Sequence, residues 1–512
     1  MYKKLLSHED TPIYILLIIC LVIGLATVGD YGESWDEAEF IRYADYCIQA
    51  YQYILRPHEL PPISRVLNYY GPAYLMLATA VSGFISDIAP SLSNITVRHF
   101  VYFSTSLACH LVLYFLSKRW MSKWAAFGTT LLFASQPLIW GHSFINSKDT
   151  PFMAFFLTDI YMGIRMMGAT PNARWRWVVS AGILLGLTIS IRVIGPLAGL
   201  IVFSYGLLKY PRRIVTTLPY YFLIAGVTTY LTWPFLWKAP ITAFFESVKI
   251  MSYLPYSDPV LFMGNLYAAN QLPRRFFPTL LSLQLTEPAL FLIAIGFVVS
   301  LWLFIKGKNR ELILIFTGWF LAPTLWIVLT RSVLLDNARH LLFLWPPLFI
   351  MAGMGIDWLM TILKRPVLRT ALLLVMALPG INAGIHLHPY EYIYYNSLTG
   401  GVRGAYRNFE LDYWATSFKE SMEYLNEQAG PGTKIMVIGP RHIARQYARP
   451  DLQIVGPGKV AKSESEYYYI LSLTRSNQDL LHCRHTEIEF EVERDGGILS
   501  SIRKIEPGQN CK

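Results

Sequence analysis

Apolar residues occur in about eleven long runs separated by polar connectors. Most of the runs are long enough to cross roughly 30 Å of hydrocarbon as a helix. The sequence therefore predicts a polytopic α-helical membrane protein. The predicted spans are 11–29, 97–117, 124–140, 151–168, 177–191, 193–208, 214–236, 287–305, 312–330, 340–361 and 368–386.

Lysine and arginine residues are concentrated in alternate connectors. By the positive-inside bias these connectors face the cytoplasm, as does the N-terminus with Lys3 and Lys4. The remaining connectors (30–96, 141–150, 237–286 and 331–339) and everything after residue 387 then lie outside. The basic residues of the inner connectors are Lys118, Arg119, Lys123, Arg174, Arg176, Lys209, Arg212, Arg213, Lys306, Lys308, Arg310, Lys364, Arg365 and Arg369.

Two segments constrain this topology. Residues 71–88 are apolar, but a crossing there would move every later basic connector to the other side. We therefore predict a partly inserted or interfacial helix that enters and leaves on one side. Residues 177–208 are predicted as two short helices that turn near Arg192, Gly195 and Pro196. The turn places Arg192 near the outer face or in a protein-lined cavity, because a charge facing lipid is costly.

The composition agrees with a membrane protein. Hydrophobic residues make up 54% of the chain and charged residues only 15%, whereas soluble domains carry about 25% charged residues. The net charge of +10 is better explained by topology determinants beside anionic lipid than by a nucleic-acid partner. Cys483 and Cys511 share the outer tail, which permits a disulfide between them.

The chain divides into two predicted domains. Residues 1–387 form the transmembrane domain with its outer loops 30–96 and 237–286, and residues 388–512 form a small extracytoplasmic α/β domain. In the first loop a helical pattern places Ile41, Ala44, Ile48, Tyr51 and Leu55 on one face, which is typical of an amphipathic helix on a membrane. Loop 237–286 is expected to be ordered but irregular. The tail predicts a helix at 416–428, strands at 434–438 and 467–473, and a hairpin of 487–493 with 498–504.

Asp36 and Glu37 directly follow the first predicted span. Carboxylates at this position can act as a general base or hold a divalent cation. Ser34-x-x-Glu37 is also a capping-box pattern, and an acid at position 36 suits a helix N-terminus. Both interpretations remain open for this segment.

The second outer loop contains Lys148 and Asp149. Thr150 and Pro151 after them predict a helix start with Thr150 as N-cap. A lysine beside a helix N-terminus is suited to binding phosphate. Arg339 and His340 open a late span in the same way, although an interfacial arginine that extends towards water is the more ordinary interpretation of Arg339 alone.

These motifs, in this order, resemble the membrane glycosyltransferases of the GT-C superfamily. The resemblance is closer to the family 39 group, which includes protein O-mannosyltransferases and the lipid A aminoarabinose transferase. It favours the bacterial members, because loop 237–286 is too short for the β-trefoil of the eukaryotic enzymes. The motifs are Trp35-Asp36-Glu37-Ala38-Glu39, Asn146-Ser147-Lys148-Asp149-Thr150-Pro151-Phe152, Arg339-His340-Leu341-Leu342-Phe343, His388-Pro389-Tyr390-Glu391-Tyr392 and Phe409-Glu410-Leu411-Asp412-Tyr413-Trp414.

The resemblance implies transfer of a sugar from a polyprenyl-phosphate donor to an acceptor hydroxyl, on the extracytoplasmic face of the inner membrane. Asp36 corresponds to the acidic base, with Glu37 beside it, and Asp149 to a second acid. The cations implied for the donor phosphate are Lys148, Arg339, His340 and Arg192. Family members differ in metal use, so a divalent ion on Asp36 and Asp149 stays open. The acceptor can be a protein, a lipid or a glycan.

The main alternative is a transporter or flippase of a lipid-linked substrate. A transporter would place its charges at midspan in broken helices, whereas these acids and cations cluster at one face. A polysaccharide polymerase or ligase and a non-catalytic scaffold are further alternatives. A scaffold gives no reason for acids and a phosphate-type lysine to converge.

Overall fold

A computed structural model describes residues 10–61, 66–252, 258–457, 467–481 and 485–507. The α-helices are α1 Thr11–Thr27, α2 Glu37–Gln49, α3 Ala73–Ile88, α4 Asn94–Ser117, α5 Lys123–Ala134, α6 Pro137–Ile145, α7 Asp149–Gly168, α8 Pro171–Ile189, α9 Pro196–Lys209, α10 Pro211–Thr232, α11 Pro240–Ser252, α12 Phe276–Gln284, α13 Glu287–Ile305, α14 Arg310–Thr330, α15 Trp345–Ile362, α16 Pro366–Leu387, α17 Gly401–Ala405, α18 Phe418–Gln428 and α19 Arg441–Tyr447. Short 3₁₀ segments include Arg339–Leu344 and Arg475–Leu480.

Each predicted apolar run contains a helix. The run at 124–140 is split into α5 and α6, where Gln136 leaves the helical pattern and exchanges hydrogen bonds with Thr286. Among the described residues six helices are long and apolar enough to cross a membrane, and the predicted multi-pass membrane fold is confirmed. They are Asn94–Ser117, Pro211–Thr232, Glu287–Ile305, Arg310–Thr330, Arg339–Ile362 and Pro366–Leu387.

The predicted basic connectors meet at one end of the helix bundle, which we call the basic end and define by Lys118, Lys209 and Arg213. There Lys118 pairs with Asp10 at the start of α1, and Lys209 pairs with Glu311 at 2.7 Å. The guanidinium of Arg213 donates to the carbonyl of Ala169 at 3.0 Å. The helix ends that carry basic residues therefore share one face, as the sequence predicts. Assignment of this face to the cytoplasm stays a prediction.

Helix α3 does not reach the basic end. It packs antiparallel to the first half of α4, where the hydroxyl of Tyr74 hydrogen-bonds to Thr105 and that of Ser86 donates to Asn94. Since α4 continues to Ser117, α3 stays beside the other half of the bundle. This is the arrangement expected of a helix that does not cross.

Two details of the outer loops add to or differ from the sequence interpretation. Helix α2 buries Phe40, Tyr43, Ala44 and Cys47, whereas Ile48, Tyr51 and Leu55 are exposed. The apolar periodicity identified the helix, but an apolar stripe can face lipid as well as protein. Loop 237–286 is more regular than expected, because it contains α11, α12 and a two-stranded hairpin.

The strands are β1 Pro259–Phe262, β2 Asn265–Ala268, β3 Lys434–Ile438, β4 Gln453–Val455, β5 Tyr468–Leu473, β6 Phe490–Arg494 and β7 Gly497–Ile505. The last five form a mixed sheet in the order β4-β3-β5-β7-β6. Strand β3 is parallel to β4 and β5, and β7 is antiparallel to β5 and β6. The turn between β6 and β7 uses Asp495 and Gly496, both with positive φ, as the predicted hairpin requires. Cys483 and Cys511 lie outside the described residues.

The C-terminal region is tightly joined to the membrane bundle. Buried aromatic residues between the last span and the sheet pack into the same core as the spanning helices, among them Tyr392, Tyr413 and Trp414. Gly32 of the first loop lies so close to this region that a Cβ there would be 2.4 Å from the carbonyl oxygen of Thr416. The sheet therefore covers the bundle at the end opposite the basic end. The domain division at residue 387 remains a prediction.

Candidate functional site

The segment before α2 is held by the C-terminal region. The backbone N–H of Trp35 donates to the carbonyl of Trp414 at 3.1 Å, and His442 donates to the carbonyl of Trp35 at 2.9 Å. Both backbone polar groups of Trp35 are therefore held by the C-terminal region, which fixes the backbone directly before Asp36. The side chain of Asp36 is 41% exposed, and it lines a cavity.

Glu37 points away from this cavity. Its side chain is fully buried, its Oε2 lies 3.1 Å from Nε2 of His99, and the backbone N–H of Ser34 donates to it at 3.3 Å. The contact with Ser34 is half of the capping box that the sequence predicts. The structure therefore gives Glu37 a structural position, whereas Asp36 faces open space.

Asn146 organises the turn that carries Lys148 and Asp149. Its side-chain oxygen accepts from the backbone N–H groups of Lys148 at 3.1 Å and Asp149 at 2.7 Å. Helix α7 therefore begins at Asp149, with Asn146 satisfying its first donors. The sequence prediction of Thr150 as N-cap was wrong, because α7 begins one residue before Thr150 and its N-cap residue is Lys148.

Arg339 is the hub of the site. One guanidinium nitrogen lies 3.0 Å from Asp149, and the other lies 2.9 Å from Asp336 and 3.5 Å from Asp36. Asp149 also pairs with Arg192 at 3.0 Å. Asp149 is thus buried between two arginines, whereas Asp36 retains access to the cavity.

A cavity of about 660 Å³ opens beside these residues. Four of the residues predicted from sequence line it: Asp36, Lys148, Arg339 and His340. Asp149 and Arg192 lie directly behind Arg339, and a guanidinium nitrogen of Arg192 donates to the carbonyl of His340 at 3.3 Å. The further lining residues are Trp35, Glu39, Phe40, Arg42, Tyr43, Tyr46, Val66, Leu67, Tyr70, Asp258, Leu335, Asp336, Trp414 and Arg475.

Lys148 is a cation without a carboxylate partner among the described residues. Its ammonium nitrogen lies 3.6 Å from the ring centroid of Phe40 and 4.1 Å from that of Tyr70, and the residue is only 5% exposed. Lys148 lies in the connector before α7 and lines the cavity. Burial lowers the pKa of its ammonium to about 7, and the negative charge of Asp36 opposes this shift. An anion entering the cavity would meet a desolvated ammonium held by two aromatic faces.

The cavity residues that were not identified as site residues from the sequence include Trp35, Asp336, Trp414 and Arg475. Trp414 lies within a motif quoted above, and its ring is 4.9 Å from the guanidinium carbon of Arg339. Asp336 is close to Arg339 in sequence, and Trp35 directly precedes Asp36. Arg475 comes from the turn after β5, pairs with Asp336 at 2.8 Å and lies 5.0 Å from the ring centroid of Trp35. Arg475 has no sequence signal, because its position depends on how the C-terminal sheet packs.

The residues do not fit a metal ion shared by Asp36 and Asp149. The guanidinium of Arg339 contacts both carboxylates, so it fills the space that a bridging ion would need. In the described part of the chain, no group of three or more His, Cys, Asp or Glu side chains is arranged to hold a metal.

Comparison with known proteins supports this assignment of the fold and family. Residues 14–246 match the model of the dolichyl-phosphate-mannose-protein mannosyltransferase family. The structure is similar to that of ArnT from Cupriavidus metallidurans bound to undecaprenyl phosphate (TM-score 0.56, 14% identity, 96% of this chain and 97% of that chain). It is also similar to the Archaeoglobus fulgidus oligosaccharyltransferase tethered with an acceptor peptide (TM-score 0.51, 12% identity, 93% of this chain and 70% of that chain).

No curated protein sequence matches the chain significantly. At these low identities the structural likeness establishes the fold, while the family model supports the relationship through the first half of the chain. The resemblance found in the sequence is confirmed at the level of the fold: the chain has the fold of ArnT, and its residues 14–246 match the mannosyltransferase family model.

Proposed function

We propose that the protein transfers a sugar from a polyprenyl-phosphate donor to an acceptor hydroxyl on the extracytoplasmic face of the inner membrane. The observation that carries this proposal is the placement of Lys148. It is a buried ammonium that lines the same cavity as a partly exposed carboxylate, Asp36. A cation for a leaving phosphate and a base for an attacking hydroxyl are the two groups that this reaction needs.

The cationic part of the cavity would bind the donor phosphate. Lys148 and Arg339 line the cavity directly, and Arg192 adds positive charge behind them. In the reaction the bond between the anomeric carbon and the phosphate oxygen breaks, and the phosphate leaves with the bonding electrons. Fixed cations stabilise the charge that develops on this oxygen without having to reorganise.

Asp36 would act on the acceptor. Its carboxylate takes the proton of the acceptor hydroxyl while the oxygen attacks the anomeric carbon. Arg339, 3.5 Å from Asp36, fixes the orientation of the carboxylate and keeps it close to the donor site. The product is a glycoside, and the remaining products are polyprenyl phosphate and a protonated Asp36.

Asp149 would position the arginines rather than touch the substrate. Its carboxylate is 1% exposed and contacts Arg192 and Arg339 at 3.0 Å each. A carboxylate that is buried between two guanidinium groups is a poor proton acceptor, because the positive charges stabilise its ionised form. We therefore propose Asp36 as the base and Asp149 as the group that orients Arg339.

The site geometry favours this function over a transporter. The paired charges of the cavity lie at helix starts: Asp149 begins α7, and Arg339 begins the 3₁₀ turn before α15. The acid in the middle of α7, Asp159, is fully buried and accepts a hydrogen bond from Tyr221. It is not among the residues that line the cavity.

The donor and acceptor can be identified with purified protein. The protein is incubated with a panel of polyprenyl-phosphate sugars labelled in the sugar, together with separate protein, lipid and glycan acceptor fractions. Transfer of label from one donor, lost in Asp36→Asn and retained in Lys209→Ala at the basic end, supports the proposal. Absence of both donor binding and transfer across a panel covering hexoses, pentoses and amino sugars would overturn it.

A further inference from the structure

Two tight turns with unusual backbone geometry meet at the cavity. Asp336 and Asn337 have φ of 52° and 58°, and Ser476 and Asn477 have φ of 50° and 57°. Consecutive non-glycine residues in the left-handed region are costly and persist where surrounding contacts enforce them. One turn precedes Arg339, and the other directly follows Arg475. The pairing of Asp336 with Arg475 at 2.8 Å joins the two turns.

The turn after Arg475 is anchored by buried polar contacts. Glu410 accepts from the backbone N–H of Ser476 at 3.0 Å and from its hydroxyl at 2.9 Å, and it also accepts from the backbone N–H of Leu261. Arg407 donates to the side-chain oxygen of Asn477 at 2.9 Å and pairs with Asp479. These contacts hold the turn in its unfavourable geometry and fix the direction in which Arg475 leaves the sheet.

Arg475 consequently reaches from the C-terminal sheet into the cavity. One guanidinium nitrogen pairs with Oδ1 of Asp336, and another donates to the carbonyl of Tyr413 at 3.2 Å. Its guanidinium also stacks near Trp35, 5.0 Å from the ring centroid. The side chain is largely buried and lines the same cavity as Asp36 and Lys148.

We infer that Arg475 is a positioning residue of the transfer reaction, which acts through Asp336 on Arg339. This inference rests on the proposed function. Arg475 contacts Oδ1 of Asp336, whereas Arg339 contacts Oδ2 at 2.9 Å. Because each oxygen has its own arginine, Asp336 holds Nε and Nη2 of Arg339 through Oδ2 alone, with Nη2 also 3.5 Å from Asp36, and leaves Nη1 directed at Asp149.

Loss of Arg475 would change this division. The freed Oδ1 of Asp336 could turn to Arg339, so that both carboxylate oxygens engage one guanidinium in the bidentate geometry that such pairs favour. Arg339 would then be drawn towards Asp336 and away from the donor phosphate. The C-terminal sheet thus contributes Arg475 to a cavity whose other charged residues come mainly from the membrane domain.

The first test compares Arg475→Gln with Arg475→Lys in a sugar-transfer assay. We expect Arg475→Gln to lower kcat about 10- to 100-fold, since small displacements of a catalytic group have effects of this size, with the KM for donor changed less than about threefold. Arg475→Lys should recover part of kcat, because it restores the charge opposite Asp336. Wild-type kcat in Arg475→Gln would overturn the inference.

Arg407→Gln is the matched control. Arg407 holds the same turn through Asn477 and Asp479, but it is not among the residues lining the cavity. If Arg475 acts only by stabilising the turn, both variants should lower kcat in proportion to their loss of thermal stability, which would contradict the inference. A kcat loss in Arg475→Gln well beyond that of an equally destabilised Arg407→Gln supports it.

A double variant tests the route through Asp336. If Arg475 acts by occupying Oδ1 of Asp336, then Asp336→Asn combined with Arg475→Gln should be no slower than the slower single variant. Multiplicative losses would show independent roles and overturn the inference. The proposed function fails separately, because in that case the wild-type protein itself neither binds nor uses polyprenyl-phosphate sugars.

Discussion

The two ends of the helix bundle both carry charged residues, but they arrange them differently. At the basic end the ion pairs are one-to-one and partly exposed, as in Lys209 with Glu311. At the cavity end the carboxylates are shared: Asp149 and Asp336 each bind two arginines. Lys148 has no carboxylate partner in the part of the chain that the structure describes.

This difference separates charges that set topology from charges that prepare a site. Exposed ion pairs contribute little to stability, and because both charges are already neutralised they do not attract a charged ligand. Buried cations are costly unless they are compensated, so an incompletely compensated cluster in a cavity indicates an anionic ligand. The cavity lining also includes Glu39, Asp258 and Arg42, so the charges are balanced in number, and the cation left without a carboxylate partner among the described residues is Lys148, which suits a donor phosphate.

The largest expected effect is at Asp36. Asp36→Asn keeps the size of the side chain but removes the base, so transfer should fall about 10²- to 10⁴-fold. Donor binding should stay close to wild type, because the phosphate contacts are unchanged. Transfer rates are measured with labelled donor and binding by titration. A variant that transfers at the wild-type rate would refute the assignment of the base.

Arg339→Gln should have the next largest effect. Loss of a preorganised donor to the leaving group is expected to lower kcat about 10²- to 10³-fold. Because Asp149 and Asp336 are left buried with fewer partners, the free energy of unfolding should fall by about 3–5 kcal/mol. Arg213→Gln, at the basic end, is the control: its contacts with backbone carbonyls predict near-normal transfer. Equal losses of transfer in both variants would contradict the claim that the cavity end, and not the basic end, carries the reaction.

Lys148→Ala should weaken donor binding. Removal of a charge-assisted contact worth about 1.5–3 kcal/mol predicts a Kd about 10- to 100-fold higher. The matched variant is Lys209→Ala, which removes a lysine from the other end. Undecaprenyl phosphate titrated against both proteins provides the measurement, and unchanged affinity in Lys148→Ala would argue against a phosphate contact.

The same lysine predicts a pH dependence. The pKa of Lys148 is lowered by burial to about 7, and a bound phosphate favours the charged form and raises this pKa. Donor affinity should therefore be constant below pH 7 and fall by up to about tenfold per pH unit as pH rises above 7, until the pKa of the complex is reached. In Lys148→Ala the curve should be flat over this range. A wild-type curve that is equally flat would contradict the role of the buried ammonium.

The smallest effect is expected for Glu311→Gln at the basic end. This change removes the partner of Lys209 from a partly exposed pair. Stability should change by about 0–1 kcal/mol, and the transfer rate should stay within about twofold of wild type. A large loss of transfer would indicate that the basic end takes part in the reaction after all.

The sequence predicted the membrane helices well because hydrophobicity and the charge of the connectors report directly on the bilayer. It also singled out Asp36, Lys148, Asp149, Arg339, His340 and Arg192, which the structure brings to one end of the bundle. Their positions at the outer ends of the predicted spans indicated this common location without any information on packing. Their individual roles remain predictions.

Features that depend on packing between distant segments could not be predicted. The periodicity of α2 identified the helix and an apolar face that includes Ile48, but not that Phe40 and Tyr43 are buried against the protein. The side chain of Glu37 points away from the cavity that Asp36 lines because it contacts His99, which lies 62 residues later in the chain. Arg475 reaches the cavity only because the sheet packs on the first loop, and no local pattern reports such an arrangement.

The central claim is that the cavity binds the phosphate of a lipid-linked donor, and a structure of the protein with undecaprenyl phosphate tests it most directly. The account predicts phosphate density within about 4 Å of the Lys148 ammonium and the Arg339 guanidinium, with Asp36 facing the open side of the cavity. Phosphate bound at the basic end, beside Lys118 or Lys209, with an empty cavity would contradict it.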